Sequence, residues 1–384
     1  MKPKLIRITT VPSSLFKLLR GQPAFMRNYY EVIGITSQGR YFEDISEQEG
    51  IPVLEVRMTR QISLVSDIKA LCKLIKIVKK EKPHIIHTHT PKAGLLGMVA
   101  AKITGVPYRL HTVAGLPLVE SKGIKRIILK ISERITSYCA TRVYPNSFAL
   151  MQLMTDFKLC PVRKMKVIGN GSSNGIDIDY FNPSLLLQSQ LQSIKTHYAI
   201  SEEDFVFCFI GRIVRAKGIN ELVEAFDDLS KTEQTVKLLL IGDEEPDLDP
   251  ISAKSKERIK NNCRIIVTGI QQDVRPFLQI SHLFVFPSYR EGFPNVVLQA
   301  GAMGLPAVVT NINGCNEIVK DGYNGLIIPT KSTEKLQEAM QKLYTDRALL
   351  LAMAERSRDL IINKFERVQL WNNILKEYQK CTCY

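Results

Sequence analysis

Short apolar runs alternate with helix-like stretches along the whole chain, and the pattern occurs twice. In the first half, residues 5–10, 31–37, 51–57, 85–90, 108–113 and 142–146 read as strands, and 67–80, 92–104 and 122–139 as helices. In the second half, 205–211, 236–242, 264–269, 283–287, 307–310 and 326–329 read as strands. There 220–230, 253–261, 274–280, 295–303 and 332–344 read as helices. Strand–helix alternation of this length is the pattern of βαβ crossovers, so each half predicts a parallel sheet covered on both faces. The expected fold class is α/β, with two doubly wound, Rossmann-like domains. A length of 384 residues exceeds what one core usually carries and agrees with two domains. The stretch GNGSSNGIDIDYFNP, 169–183, has no helical period and reads as a hinge. We therefore expect domains at 1–175 and 176–384, the second ending in two or three helices over 347–380.

The charge is unevenly spread. The net charge is +14, yet residues 1–180 hold 28 Lys and Arg against 13 Asp and Glu, while the remainder is nearly neutral. A basic half is either an ordinary solvated surface or a surface that meets an anion such as a membrane. No apolar run is long enough to span a bilayer, and the N-terminus lacks the pattern of a secretory leader. A cytoplasmic chain is expected. Its eight cysteines are scattered; only Cys381 and Cys383 lie close together, with no second ligand pair, so no metal is expected there.

Two segments of the second half carry the chemistry. In FIGRIVRAKGINELVEAF, 209–226, a strand ends at Gly211, and Arg212 and Lys217 precede a helix. Loops at the carboxyl ends of parallel strands are where open α/β sheets bind ligands, and Arg with Lys suits a diphosphate. Both could equally be surface cations flanking a loop. In PSYREGFPNVVLQAGAMGLPAVVT, 287–310, a strand leads through a turn holding Glu291 into a helix near Asn295. The free N–H groups of a helix N-terminus hold phosphate. Glu291 would then either receive sugar hydroxyls or merely cap the helix.

These segments resemble the signature of the retaining glycosyltransferases of the GT-B class, family 4. INGCNEIVKDGYNGLIIP, 312–329, and HTHTPKAGLLG, 87–97, extend the similarity over nearly the whole chain, and bacterial capsule and lipid-linked polysaccharide transferases are the most similar type. The resemblance implies two domains facing each other across a cleft. It implies transfer, with retention, from a nucleotide-diphosphate sugar with UDP as the expected nucleotide, to a lipid-linked glycan acceptor in surface polysaccharide synthesis. No metal or other cofactor is implied. The N-terminal domain would bind the acceptor and the C-terminal domain the nucleotide sugar. Arg212 and Lys217 would neutralise the departing diphosphate, and Glu291 would hold the donor sugar. Gly211 and the backbone at Phe293, Pro294, Asn295 and Val296 would hold phosphate, and Gln299 the ribose. His111 would line the donor site near the reacting carbon, and Gly21 would belong to a phosphate-facing loop. The sequence departs from the family twice. The second Glu of the paired motif is Gln299, and the usual His of a Thr-x-His-Gly turn is Ala114.

Weaker candidates remain. His87 and His89 alternate on one strand and share a face; His89, near the strand's end, is a candidate contact to acceptor or donor sugar. Asp247-Leu248-Asp249 matches a metal-binding Asp-x-Asp but reads as solvated acids. No GxGxxG follows the first strand, which argues against NAD. Residues 122–142 interleave Lys122, Lys125, Arg126, Lys130 and Arg134 with Ile124, Ile127, Ile128, Ile131 and Ile135. This is a surface helix packed on the sheet or a helix facing an anionic membrane. Phe16, Leu18, Leu19 and Phe25 among Lys17, Arg20 and Arg27 form a second such mixture. The expected location is cytoplasmic and peripheral, on the inner face of the membrane. Nucleic acid is not an expected partner, because no recognition motif accompanies the charge. Two rival readings stand: a UDP-sugar 2-epimerase of the same fold, and an inactive, basic membrane-binding homologue.

Overall fold

The computed structural model describes residues 2–59, 63–119, 121–245, 247 and 249–382. The chain divides into two compact units, one running through Gly175 and regaining the chain from Arg367, the other spanning Ile176–Glu366. In the first unit β1 (Lys4–Ile8), β2 (Glu31–Thr36), β3 (Val53–Glu55), β4 (Ile85–His89), β5 (Tyr108–Val113) and β6 (Arg142–Pro145) lie in the order β3-β2-β1-β4-β5-β6. In the second, β7 (Phe205–Ile210), β8 (Val236–Ile241), β9 (Ile265–Gly269), β10 (Leu283–Phe286), β11 (Ala307–Thr310) and β12 (Gly325–Ile328) repeat that winding as β12-β11-β10-β7-β8-β9. All named strand pairs are parallel. The direction of winding reverses between β1 and β4 and between β7 and β10. The carboxyl ends of those strands splay there and leave a crevice for ligands.

Central strands are buried on both faces, as the apolar run FVFCFI of β7 requires. The strand β4, IIHTH, is equally buried, so its two histidines and its threonine sit inside the unit. The helix Pro91–Ile103 packs over β4 and β5, flanked by the helices Leu64–Glu81 and Gly123–Cys139. Each unit has its own core, built in the second around Phe205, Phe207, Phe209, Phe226, Phe284 and Phe286.

The tail is two helices, Arg347–Phe365 and Arg367–Thr382. The sequence groups both with the second domain, but the last one joins the first unit. Leu370, Ile374, Leu375 and Tyr378 share a core with Leu5, Tyr30, Ile85 and Tyr144. An apolar stripe at helical spacing announces a buried face without saying which sheet it covers. Cys381 is buried on this helix, and Cys383 lies outside the described residues.

Candidate active site

The second unit builds a polar site where β7 and β10 end. Gly218 closes the loop after β7 with φ +72, and a Cβ there would come within 2.1 Å of the Pro287 carbonyl oxygen. Only glycine permits that approach. The Tyr289 N–H then donates to Ala216 O at 3.0 Å. This contact sets Lys217 Nζ against Glu291 Oε1 in an ion pair. The Glu291 carboxylate also accepts from Ser288 Oγ at 2.9 Å, and the lysine ammonium lies 5.3 Å from the Phe286 ring centroid. Glu291 does not cap the next helix. That helix, Asn295–Ala302, has Pro294 at its N-cap and no side-chain cap. Its first N–H groups therefore remain available to an anion.

The turn before that helix is held from below. Gly314 has φ +74, and a Cβ there would fall within 2.8 Å of Gly292 O, Phe293 Cα and Pro294 Cδ. Phe293 is buried, its ring 5.5 Å from that of Phe365, so only its backbone faces the turn. Asn295, Val296 and Gln299 form the half-buried face of the helix, opposite the buried Val297, Leu298 and Ala300. Gln299 stands one turn in, and its amide has no hydrogen-bond partner among the described residues. Arg212 is more than half exposed and donates to Glu245 Oε2 at 2.6 Å. Its pairing is a solvated one. Asp249, expected as a solvated acid, instead staples the loop by accepting from Ala216 N at 2.7 Å and Arg215 Nε at 3.1 Å. Leu248, between the two aspartates, lies outside the described residues. Among the described residues no group of three or more His, Cys, Asp and Glu is arranged to hold a metal ion.

In the first unit the structure separates the histidines. His87 and His89 share a face, with rings 4.3 Å apart. His87 is fully bonded, Nδ1 to Tyr378 OH at 2.5 Å and Nε2 to Thr112 Oγ1 at 2.7 Å. The Arg7 guanidinium, wholly buried, donates to the same Tyr378 oxygen at 2.8 Å and to Gln22. His89 has no partner on either ring nitrogen among the described residues. Burial, reinforced by Arg7 and the other histidines, holds His87 and His89 neutral, well below the ordinary imidazole range.

His111 lies on the opposite face. It is buried beneath the helix Pro91–Ile103, with Nδ1 on Thr88 Oγ1 at 2.8 Å. The ring touches Gly94 so closely that a Cβ there would come within 2.4 Å of it. Burial lowers its pKa to about 4. The ring is thus packed between β5 and that helix. Gly21 is also engaged within its unit. Its N–H is taken by Glu49 Oε1 at 2.8 Å, and it sits at φ +79 against the Trp371 indole. It offers no free amide to a phosphate.

The two surface mixtures also part ways. Leu19 is fully buried, Phe16 stacks on Tyr41 at 4.6 Å and Phe25 packs on Trp371 at 5.5 Å, so that segment belongs to the core. The helix Gly123–Cys139 is inverted. Ile124 (76% exposed), Ile127, Ile128, Ile131, Ile135 and Tyr138 (71%) face outward, while Glu133, Thr136, Ser137 and Cys139 are buried. Burial without an ion-pair partner raises the Glu133 carboxyl to about 7. No helix among the described residues is long and apolar enough to cross a membrane.

Comparison with known proteins accounts for this arrangement. Residues 192–360 match the family model of glycosyl transferases group 1, and residues 23–171 that of the glycosyl transferase 4-like domain. The capsular polysaccharide biosynthesis glycosyltransferase CapM of Staphylococcus aureus is 33% identical over 376 residues, 98% of this chain and 96% of the relative. The chain belongs to the GT-B glycosyltransferases of family 4. A further relative is the UDP-Gal:alpha-D-GlcNAc-diphosphoundecaprenol alpha-1,3-galactosyltransferase of Escherichia coli, 30% identical over 88% of this chain and 85% of the relative. The structure of Anabaena HepE in complex with UDP superposes with a TM-score of 0.82, covering 99% of this chain and 100% of that one at 18% identity, a likeness of fold.

For this glycosyltransferase, reading the sequence singled out Lys217 and Glu291, which the fold pairs, but not what joins them. Gly218, Ser288, Gly314 and Asp249 assemble the two loops. A signal was present for Gly314 in the turn-forming Asn-Gly dipeptide 313–314, and for Gly218 in its place just before a helix. None marked Ser288.

Proposed function

We propose that the chain is a retaining glycosyltransferase that moves a sugar from UDP to a lipid-linked glycan in surface polysaccharide synthesis, working at an anionic membrane. The observation that carries the donor half is the Lys217–Glu291 pair at the β7/β10 switch point, beside an uncapped helix N-terminus. On donor binding, Lys217 exchanges its carboxylate for the diphosphate, joined by Arg212. Charge developing on the leaving group is then met by fixed cations, without a metal. Glu291, released, accepts hydrogen bonds from the donor sugar, and Gln299 meets the ribose. The bond from the anomeric carbon to the diphosphate breaks and one to the acceptor hydroxyl forms on the same face, with the hydroxyl proton leaving on the diphosphate side.

The acceptor half rests on relatives that act on diphosphoundecaprenol-linked sugars and on the outward isoleucines of Gly123–Cys139. Aliphatic side chains interleaved with Lys125, Arg126, Lys130 and Arg134 suit the interface of an anionic bilayer. The test is a donor screen with a lipid-diphosphate-linked sugar acceptor, followed by mass spectrometry. A product heavier by one sugar, with the donor's anomeric configuration, is expected. Donor hydrolysis or epimerisation without acceptor would replace this reading by the epimerase one.

A further inference from the structure

The amino edge of the first sheet holds a basic cavity. Tyr108 and Arg142 begin β5 and β6, so this edge is opposite the carboxyl ends where the winding reverses. After the helix Phe148–Asp156 the chain returns beside β6, with Lys166 N donating to Val143 O at 3.1 Å, and brings Arg163, Lys164 and Lys166 to the cavity with Arg142. The helix Arg367–Thr382 supplies Glu377 and Lys380. The volume is about 860 Å³, the size of a small-molecule site. Five cations and one carboxylate line it. Glu377 is shared, 2.7 Å from Lys166 and 2.9 Å from Lys380. Lys164 is taken by the carbonyls of Ser137, Tyr138 and Ala140 at the end of the helix Gly123–Cys139. Arg142 donates to the Arg163 carbonyl at 2.6 Å, and neither arginine has an ion-pair partner among the described residues. Cations this dense repel one another unless an anion joins them. Buried Tyr144, Met165 and Cys381 add an apolar floor. A concavity with an apolar floor and converging cations suits one small organic anion.

We propose that this cavity is a second ligand site, which takes a soluble organic phosphate of two or more negative charges. The phosphates meet Arg142, Arg163, Lys166 and Lys380 with charge-assisted hydrogen bonds, and the organic part lies on the apolar floor. The ligand bridges β6, the segment 163–166 and the helix Arg367–Thr382, which are far apart in the chain. It therefore binds the folded first unit alone and stabilises it. The same helix carries Tyr378, which bonds Arg7 and His87 in the core, so an occupied site holds that helix more firmly on its sheet.

The test uses the full chain with the variants R142Q/R163Q/K166Q and R163E. All three positions are exposed, and R163E breaks no ion pair among the described residues. ATP and inorganic pyrophosphate are titrated by calorimetry, and the melting temperature is followed with each. The parent should bind ATP and gain melting temperature as its concentration rises. The triple variant should bind ATP at least about tenfold more weakly, and R163E several-fold more weakly. Pyrophosphate should compete with ATP. R212A/K217M, altered in the proposed donor site, should keep this binding. Without added ligand, the triple variant should turn over within about twofold of the parent, since the site takes no part in transfer. A parent that binds neither probe at millimolar concentration overturns the proposal. So does ATP binding lost in R212A/K217M and kept in the triple variant, since the donor site is then the only one. A triple variant that loses sedimentation with phosphatidylglycerol vesicles while keeping its ATP affinity also overturns it, since the cations then serve bilayer headgroups.

Discussion

Lys217 and Glu291 lie 74 residues apart in the chain and form one ion pair, each side chain less than a fifth exposed. Neither loop alone explains the contact; it follows from the close approach of Gly218 to Pro287. Removing one partner of a desolvated pair leaves the other charge uncompensated, which costs more than removing both. Lys217→Met should therefore lower stability by about 1–3 kcal/mol and kcat/KM by ~10²–10³-fold. The double variant K217M/E291Q should recover much of the melting temperature but none of the activity. Thermal melts and initial rates on the three proteins decide it, and a double variant no more stable than Lys217→Met would refute the pairing argument.

Arg212 should behave differently. Its contact with Glu245 is solvent-exposed, so Arg212→Ala should leave stability within about 0.5 kcal/mol. If its partner during reaction is the proposed diphosphate, it should lower kcat/KM by ~10²–10³-fold. If fixed cations alone meet the leaving group, as proposed, chelation with EDTA should leave parent turnover within about twofold. Near-parent turnover of Arg212→Ala would remove it from the site.

The fold was legible in the sequence because parallel strands buried on both faces are apolar throughout, and all twelve expected strands form. The helices Phe42–Glu49, Phe148–Asp156 and Gln188–His197 were not legible, being short and weakly periodic. Lys217 and Glu291 could be singled out, though not paired, because strand ends and helix starts mark loops suited to phosphate. The contacts of His111 and Gly21 were not legible for a common reason. Their partners, Thr88 with Gly94 and Glu49 with Trp371, come from elsewhere in the chain, and neither periodicity nor spacing predicts that a ring or an amide is already taken.

Buried titratable groups give the first unit a pH dependence of two opposite signs. His87, His89 and His111 have folded pKa values below their ordinary value of 6.5, that of His111 at about 4. Their contribution is present above 6.5 and is lost as pH falls below it, for His111 through about 4, by up to about 1.4 kcal/mol per pH unit for each histidine. Glu133 is raised from 4.5 to about 7, so its contribution is present below 4.5 and lost as pH rises through 7. Urea midpoints against pH should fall steeply below 6.5. Glu133→Gln should flatten the loss between 4.5 and 7 and leave the variant more stable at pH 8, by up to about 3 kcal/mol. A parent and variant with parallel profiles would show Glu133 to be solvated.

The inverted helix predicts peripheral membrane binding with two separable components. The parent should co-sediment with phosphatidylglycerol vesicles and dissociate as salt rises. K125E/R126E/K130E should abolish sedimentation at physiological salt. I124S/I127S/I131S should weaken it with the salt dependence preserved, because those side chains act by burial in the interface. Unaltered sedimentation of both variants would exclude this helix as the contact.

Gln299 stands where the family carries a second glutamate, one turn into the helix Asn295–Ala302, on the half-buried face it shares with Asn295 and Val296. Its opposite neighbours Leu298 and Ala300 are core, so the amide is not needed for packing. If it meets the donor ribose, Gln299→Ala removes neutral hydrogen bonds worth ~0.5–1.5 kcal/mol, and donor KM should rise several-fold, up to about tenfold. The ribose is remote from the breaking bond, so the contact is the same in ground and transition states and kcat should change little. Gln299→Glu, which places a stronger acceptor at the same reach, should bind the donor at least as well. The measurement that separates this from a general effect on the helix uses a 2′-deoxyribose donor beside the normal one. Gln299→Ala should weaken the normal donor more than the deoxy donor. An equal factor for both would show that the 2′-hydroxyl is not its partner, and an unchanged KM for both would return Gln299 to a surface position on the helix.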